Sequence, residues 1–208
     1  VMQINKKDKA GELLNVYSSF QDNTQLKSEV ELLKSSFMLE KAIKAMPVKI
    51  GYFSKGEILT TDRYKSSSFK ISNFTILDST ILDQKVFISI YGNNKYILKN
   101  EDGNTIGEEP FKLDDFITNK HFSCIISGTN RESFINKLAV NELYFVFNDV
   151  KSFAASVKEK IEVNIENSTA KTIRIQFKHK NARFAADIIS TLTSEYNKYV
   201  YDRQNTSS

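Results

Sequence analysis

The sequence carries one cysteine, two prolines, seven glycines and no tryptophan in 208 residues. The single thiol, Cys124, excludes an internal disulfide. Scarce proline and glycine argue against a linker-rich or disordered chain. No stretch reaches the roughly 18 consecutive apolar residues that a bilayer-spanning helix needs. The opening residues do not read as a secretory signal. Without tryptophan, the broadest platform for stacking a sugar ring is missing.

Several signatures are also absent. There is no G-x-x-x-x-G-K-[ST] phosphate loop and no G-x-G-x-x-G, so nucleotide binding has no glycine-rich cradle. There is no G-x-S-x-G nucleophile elbow. The two histidines, His121 and His179, are far apart, whereas a metal site wants paired ligands at short spacing. Asn100-Glu101-Asp102-Gly103-Asn104 looks like the start of a calcium loop, but its glycine is misplaced and Phe111 stands at the twelfth position. It reads instead as a hairpin turn. Glu108-Glu109 and Asp114-Asp115 read as solvated surface, and Cys124, within the apolar run 122–126, as a buried structural thiol. The spacing of Tyr196, Tyr199 and Tyr201 suits a helix on which Tyr196 and Tyr199 share a face more than a phosphorylation tail. The sequence thus marks no catalytic, cofactor-binding or metal-binding residue, and no cofactor is expected.

Charge excludes little. Lys and Arg number 29 against 25 Asp and Glu, a net +4. The lysines are scattered, so no basic stripe points to nucleic acid. Hydrophobic residues at 40% suffice for a real core, since a chain of this length buries roughly 70% of its unfolded surface.

The periodicities give the elements. Val1–Asn5 reads as a strand. Leu26, Val30, Leu33 and Phe37 recur at helical spacing, widened by Leu32, Leu39, Ile43 and Met46. That helix is expected to be capped at Asn23 or Thr24, to stop at Pro47 and to bury Leu33 and Phe37. Strands follow over 49–53, 69–77, 86–91, 95–99, 121–127 and 143–147, with 56–64 as a connection. Asp149 caps a helix to about Lys160. Strands at 161–166 and 171–178 precede a last helix, capped by Asn181, with Phe184, Ile188 and Leu192 on its apolar side. The expected fold is α+β: a mixed sheet with helices packed on one face, plus an inserted β-rich subdomain.

Three segments carry a family resemblance. They are Leu26–Ser35 running on through Leu39 and Ile43 to Pro47, then Tyr64–Ile71, then Ile161–Val163 with Thr172–Ile175 leading into Asn181–Tyr196. Their order resembles the periplasmic domain of Wzz-type polysaccharide co-polymerases, the chain-length determinants. Ser68 stands where that family has proline. The resemblance implies a base domain of residues 1–76 and 147–208 with residues 77–146 inserted, similar to the insert of capsular tyrosine-kinase-type members from Bacteroides-like bacteria. It implies a non-catalytic module of the bacterial inner membrane, facing the periplasm and flanked by transmembrane helices, with a cytoplasmic kinase following in some members. Its partners would be copies of itself in a ring, the polysaccharide polymerase and the growing capsular or exopolysaccharide glycan. Both ends of the sequence read as interrupted, which agrees with missing anchors and with a weakly associating fragment. The competing reading is a secreted carbohydrate-binding or adhesin-like domain, which would carry a concave site with exposed aromatic and polar groups. An envelope hydrolase would need a catalytic constellation.

Overall fold

The computed structural model describes residues 24–92, 95–140 and 142–206. The strand expected at Val1–Asn5 and the cap at Asn23 lie outside them. In chain order the elements are α1 (24–34), α2 (Ser36–Ala45), β1 (Ile50–Lys55), β2 (Thr60–Asp62), β3 (Phe69–Ile76), a 3-10 turn (Ser79–Ile81), β4 (Lys85–Ile90) and β5 (Lys95–Lys99). There follow β6 (Thr105–Lys112), β7 (Phe116–Thr118), β8 (Phe122–Gly128), α3 (Arg131–Val140), β9 (Glu142–Phe147), α4 (Val150–Lys158), β10 (Ile161–Asn167), β11 (Thr172–Phe177) and α5 (Ala182–Thr206).

The class is α+β, with five helices and three antiparallel sheets among the described residues. One sheet has six strands in the order β2-β1-β9-β4-β5-β6, one has three, β3-β8-β7, and β10-β11 is a hairpin. A mixed sheet beside an inserted β-rich subdomain was expected, and the described sheets are antiparallel instead. The pairs β1–β2, β4–β5, β5–β6, β7–β8 and β10–β11 are hairpins with turns too short for a parallel crossover, and the longer connections also bring β9 antiparallel to β1 and β4 and β8 antiparallel to β3.

The first helix is corrected. It is two helices, broken at Ser35, whose backbone is extended (φ −66°, ψ 145°). The Ser35 hydroxyl accepts the Met38 N–H at 3.2 Å and donates to the Leu32 carbonyl at 2.6 Å. Serine offers the backbone an alternative to the helical ladder, and here the cap wins. The break shifts the phase of the apolar stripe. Leu26 and Leu33 are buried from α1, and Met38, Leu39, Ala42 and Ile43 from α2, while Phe37 is 50% exposed. Met46, the residue before Pro47, is extended and ends α2 as expected.

Two apolar cores result. The first joins α1, α2, α4 and α5 to the β10–β11 hairpin, through residues such as Leu39, Ala154, Val157, Val163, Ile188 and Leu192. The second lies between the six- and three-stranded sheets and begins at Ile50. Leu143, Phe145 and Phe147 alternate into it from β9, as period-two geometry requires. Phe122 of β8 meets Phe147 with ring centroids 5.0 Å apart. Helix α3 adds Phe134, fully buried against Phe69 and Tyr96. Val48 belongs to the first core and Ile50 to the second, so the chain passes between them within three residues.

Candidate binding clefts

A polar groove of about 1160 Å³ lies beside β6. Its origin is a local irregularity. Tyr96 pairs with Phe111 and Leu98 with Ile106, so residues 107–110 have no counterparts on β5. Gly107, at φ +98°, makes the departure possible, and Pro110 is tolerated because the ladder is already broken there. The lifted segment forms one wall. The opposite wall is the β7–β8 turn, where Asn119 Oδ1 accepts the N–H groups of His121 (2.8 Å) and Phe122 (3.0 Å). The 3-10 turn closes one side. Its cap Asp78 accepts from Thr80 and lies 3.0 Å from His121 Nδ1. These bonds, led by the Thr80 hydroxyl, hold the Asp78 carboxyl below its ordinary pKa. Asn100, Asp102, Glu108 and Asp115 add amide and carboxylate groups, and Phe116 contributes a ring from a residue that is 62% exposed.

A second cleft, of about 580 Å³, opens at the seam between the two cores. Met46, Val48, Phe153 and Phe184 line it from the helical side, and Ile50 and Phe69 from the sheets. Gly51 belongs to its wall, and a Cβ there would meet the Phe53 ring at 2.8 Å. Two tyrosines line it. Tyr52 Oη accepts the Ile71 N–H at 3.0 Å. The Tyr64 hydroxyl is buried, and the Asp187 carboxylate and the Lys65 ammonium act on it. Burial pushes both phenol pKa values up, helped at Tyr64 by the Asp187 carboxylate. Lys65 Nζ pairs with Asp187 Oδ2 at 2.6 Å beside Tyr64.

A third recess, of about 850 Å³, gathers Lys160, Lys178, Lys180 and Arg183 around His179. The His179 Nδ1 accepts the Asn181 N–H at 3.1 Å, and the ring stacks on Phe177 at 5.8 Å.

The residues weighed in the sequence are dispersed. His121 lies at the polar groove and His179 at the basic recess. No group of three or more His, Cys, Asp or Glu side chains able to hold a metal is found among the described residues. Residues 100–104 form the β5–β6 turn, with the Asn104 N–H donated to Asn100 Oδ1 at 2.7 Å. Cys124 is fully buried, and burial pushes its thiol up to about 12. Tyr196 and Tyr199 pack against the helical core, while Tyr201 is exposed. Sequence reasoning missed Tyr52, Tyr64, Phe116 and Asn119. The strand reading of Lys49–Phe53 already held Tyr52, but only the return of β2 and β3 shows that it lines a cleft.

No protein-family description matches the chain, and no curated protein matches it. Solved structures that are similar include two crystal forms of Xanthomonas campestris FlgL, a flagellar hook-associated protein, at 11% and 12% identity and a TM-score of 0.28 in each case. The alignments cover 71% of this chain and 40% of FlgL, so the chain spans about two fifths of that protein's length. A likeness so slight carries no argument about fold or function. The resemblance to Wzz-type co-polymerases is corrected: no such family matches the chain. Its three segments are an amphipathic run ending at proline, a polar turn before a strand, and a hairpin before a helix. Such patterns recur in α+β chains, and the first of them is broken at Ser35. The ring, the flanking membrane helices and the kinase are left without that support. No helix among the described residues is long and apolar enough to cross a membrane.

Proposed function

We propose that this chain is a non-catalytic binding module whose polar groove beside β6 takes a neutral glycan. One observation carries the reading: amide, hydroxyl and carboxylate groups converge on a groove of about 1160 Å³ beside the exposed Phe116 ring. Sugar hydroxyls both donate and accept, which suits Asn100, Asn104, Thr118 and Asn119. The apolar face of a pyranose fits against a phenyl ring. Glu101 is paired with Lys85, and Asp102, Glu108 and Asp115 outnumber the remaining lysine, Lys120, which disfavours an acidic glycan because like charges at close range repel.

Calorimetric titration with neutral and uronic-acid oligosaccharides tests the reading. Saturable binding of a neutral oligosaccharide is expected, weakened about tenfold in Phe116→Ala, equivalent to about 1.4 kcal/mol. Binding of acidic glycans alone, or no effect of Phe116→Ala, overturns it. Release of reducing ends during the titration overturns the non-catalytic part.

A further inference from the structure

We infer that one end of the six-stranded sheet docks on a lipid surface that contains anionic lipid. The strand register brings three connections together there. Leu143 of β9 pairs with Ser54 of β1 on one side and with Ile88 of β4 on the other. Because β9 is antiparallel to both, the β1–β2 turn, the β4–β5 turn and the chain entering β9 from α3 all leave the sheet at the same end. Neighbouring strands lie about 4.8 Å apart, so β1 and β4, on either side of β9, are about 10 Å apart. Nine large hydrophobic residues are exposed among the described residues, and five of them stand at this end: Ile58, Leu59, Ile90, Tyr91 and Val140. Ile58 is 92% exposed and Val140 78%. The other four stand on α2, β7 and α5 and after β3. An exposed apolar group of that extent marks an interaction surface.

Shape and charge select the occupant. Ile58, Ile90, Tyr91 and Val140 line none of the three clefts described above, so a partner helix or strand finds no groove to enter there. A bilayer needs no complementary groove. Apolar tips of separate turns enter it side by side while the backbone between them stays at headgroup level. Tyr91 suits that depth, because tyrosine rings collect at the membrane–water interface. Leu59 also lines the basic recess with Lys160, Lys178, Lys180 and Arg183. The carboxylates that face these four cations are Asp62, in the recess, and Glu162, 3.7 Å from Lys178. Asp187, on which Arg183 also acts, is held by Lys65. At the tips Lys55 is paired with Glu142, and Glu57 and Lys95 are both exposed and offset one another in charge. The surplus beside the apolar tips is therefore cationic, which favours anionic headgroups.

None of these five residues lines the polar groove, so failure of the glycan titration leaves the inference standing. The test is flotation of the whole chain with vesicles of phosphatidylcholine alone, and of phosphatidylcholine and phosphatidylglycerol in equal parts. Binding to the mixed vesicles is expected, several-fold tighter than to phosphatidylcholine. Ile58→Ser and Tyr91→Ser lie in separate turns, and each is expected to weaken that binding by about tenfold. The melting temperature of each should stay within a few degrees of the parent. Lys180→Glu is expected to weaken binding to the mixed vesicles several-fold. Leu77 is also exposed but precedes the turn that leads into the start of β4, at the other end of the sheet, so Leu77→Ser is expected to change nothing. Absence of binding to the mixed vesicles, or equal binding to both kinds, overturns the inference. So does binding that the tip variants or Lys180→Glu leave unchanged, or that Leu77→Ser weakens as much. Light scattering of the chain alone tests the other occupant: a dimer that Ile58→Ser breaks would assign this end to a second copy and overturn the inference.

Discussion

Phe37 meets Tyr199 edge to face, with ring centroids 5.6 Å apart at 71°. Lys41 Nζ lies 5.4 Å from the Phe37 centroid and 5.6 Å from that of Tyr199. The contact ties the start of α2 to the second half of α5 at the surface of the helical core. With Phe37 half exposed, Phe37→Ala is expected to cost about 1 kcal/mol, from partial burial and one aromatic pair. Phe134, fully buried in the sheet core, is expected to cost about 3–5 kcal/mol when cut to alanine. Denaturant unfolding of both variants checks the ranking. Equal losses would mean that Phe37 is shielded by a surface absent from the described residues.

That difference shows what periodicity can and cannot read. Spacing placed Leu33, Leu39, Ile43, Ile188 and Leu192 in a core, because each stays in phase within its own helix. Phe37 failed because phase does not survive a break, and serine is both a tolerable helix residue and a good cap. Helix α3 was missed for another reason. Phe134 and Leu138 are its only sizeable apolar contributions to the core, too few for a periodic signal. Its start was still legible in Asn130, whose side chain accepts the Ser133 N–H at 3.0 Å. The caps Asp149 and Asn181 were read correctly, since capping is a local interaction. The clefts were not legible. They depend on which strands become neighbours and on a bulge whose only sequence marks are Gly107 and Pro110.

Cys124 is expected to be chemically silent until the chain unfolds. Its thiol is raised from 9.0 to about 12 by burial. The nucleophile is the thiolate, so a disulfide reagent at pH 8 should label the native chain far more slowly than the unfolded one. The linkage sign follows. Between pH 9 and about 12 the unfolded thiol loses its proton while the folded one keeps it, so this group's contribution to stability falls as pH rises through that window. The difference in stability between the parent and Cys124→Ala should therefore shrink above pH 9. A constant difference would refute the burial account.

Two carboxylates converge on the start of α4. Asp149 Oδ1 accepts the N–H groups of Lys151 (3.0 Å) and Ser152 (2.9 Å). Asp83 Oδ1 accepts the Asp149 N–H at 2.9 Å, and its other oxygen accepts from the Ser152 hydroxyl. Asp83 follows the 3-10 turn of the sheet region, so these bonds fasten α4 to the second core. The Ser152 N–H, then that of Lys151, holds the Asp149 pKa below 3.8. A lowered carboxyl stabilises the fold above its unfolded pKa, and the contribution is lost as pH falls through the folded value. Asp149→Ala is expected to cost about 1 kcal/mol at pH 7. Asp149→Asn, which keeps an acceptor without a charge, should recover most of that and lose less stability than the parent on acidification below about pH 4. Urea titrations at pH 7 and pH 3 measure both. An Asn variant as weak as the Ala variant at pH 7 would assign the stabilisation to charge alone.

Gly107 sets the polar groove, and its substitution separates geometry from packing. At φ +98° a residue with a side chain is strained, at a cost of roughly 1–3 kcal/mol. A Cβ at Gly107 would find only Asn119 Cβ, at 3.9 Å, an ordinary contact. The penalty of Gly107→Ala is therefore conformational and not steric. Among the described residues β6 is an edge strand, paired only to β5, so the strain has an outlet: the 107–110 segment can settle back toward the sheet. Relaxation of that kind would narrow the groove while leaving both cores intact. Gly107→Ala is accordingly expected to lower stability by less than the full strain, and to weaken any ligand of the polar groove more than it lowers the melting temperature implies. Thermal melts paired with titration of the polar-groove ligand supply the measurement. A loss of affinity no larger than the loss of stability accounts for would show that the substitution acts through global stability and that the bulge does not shape the groove.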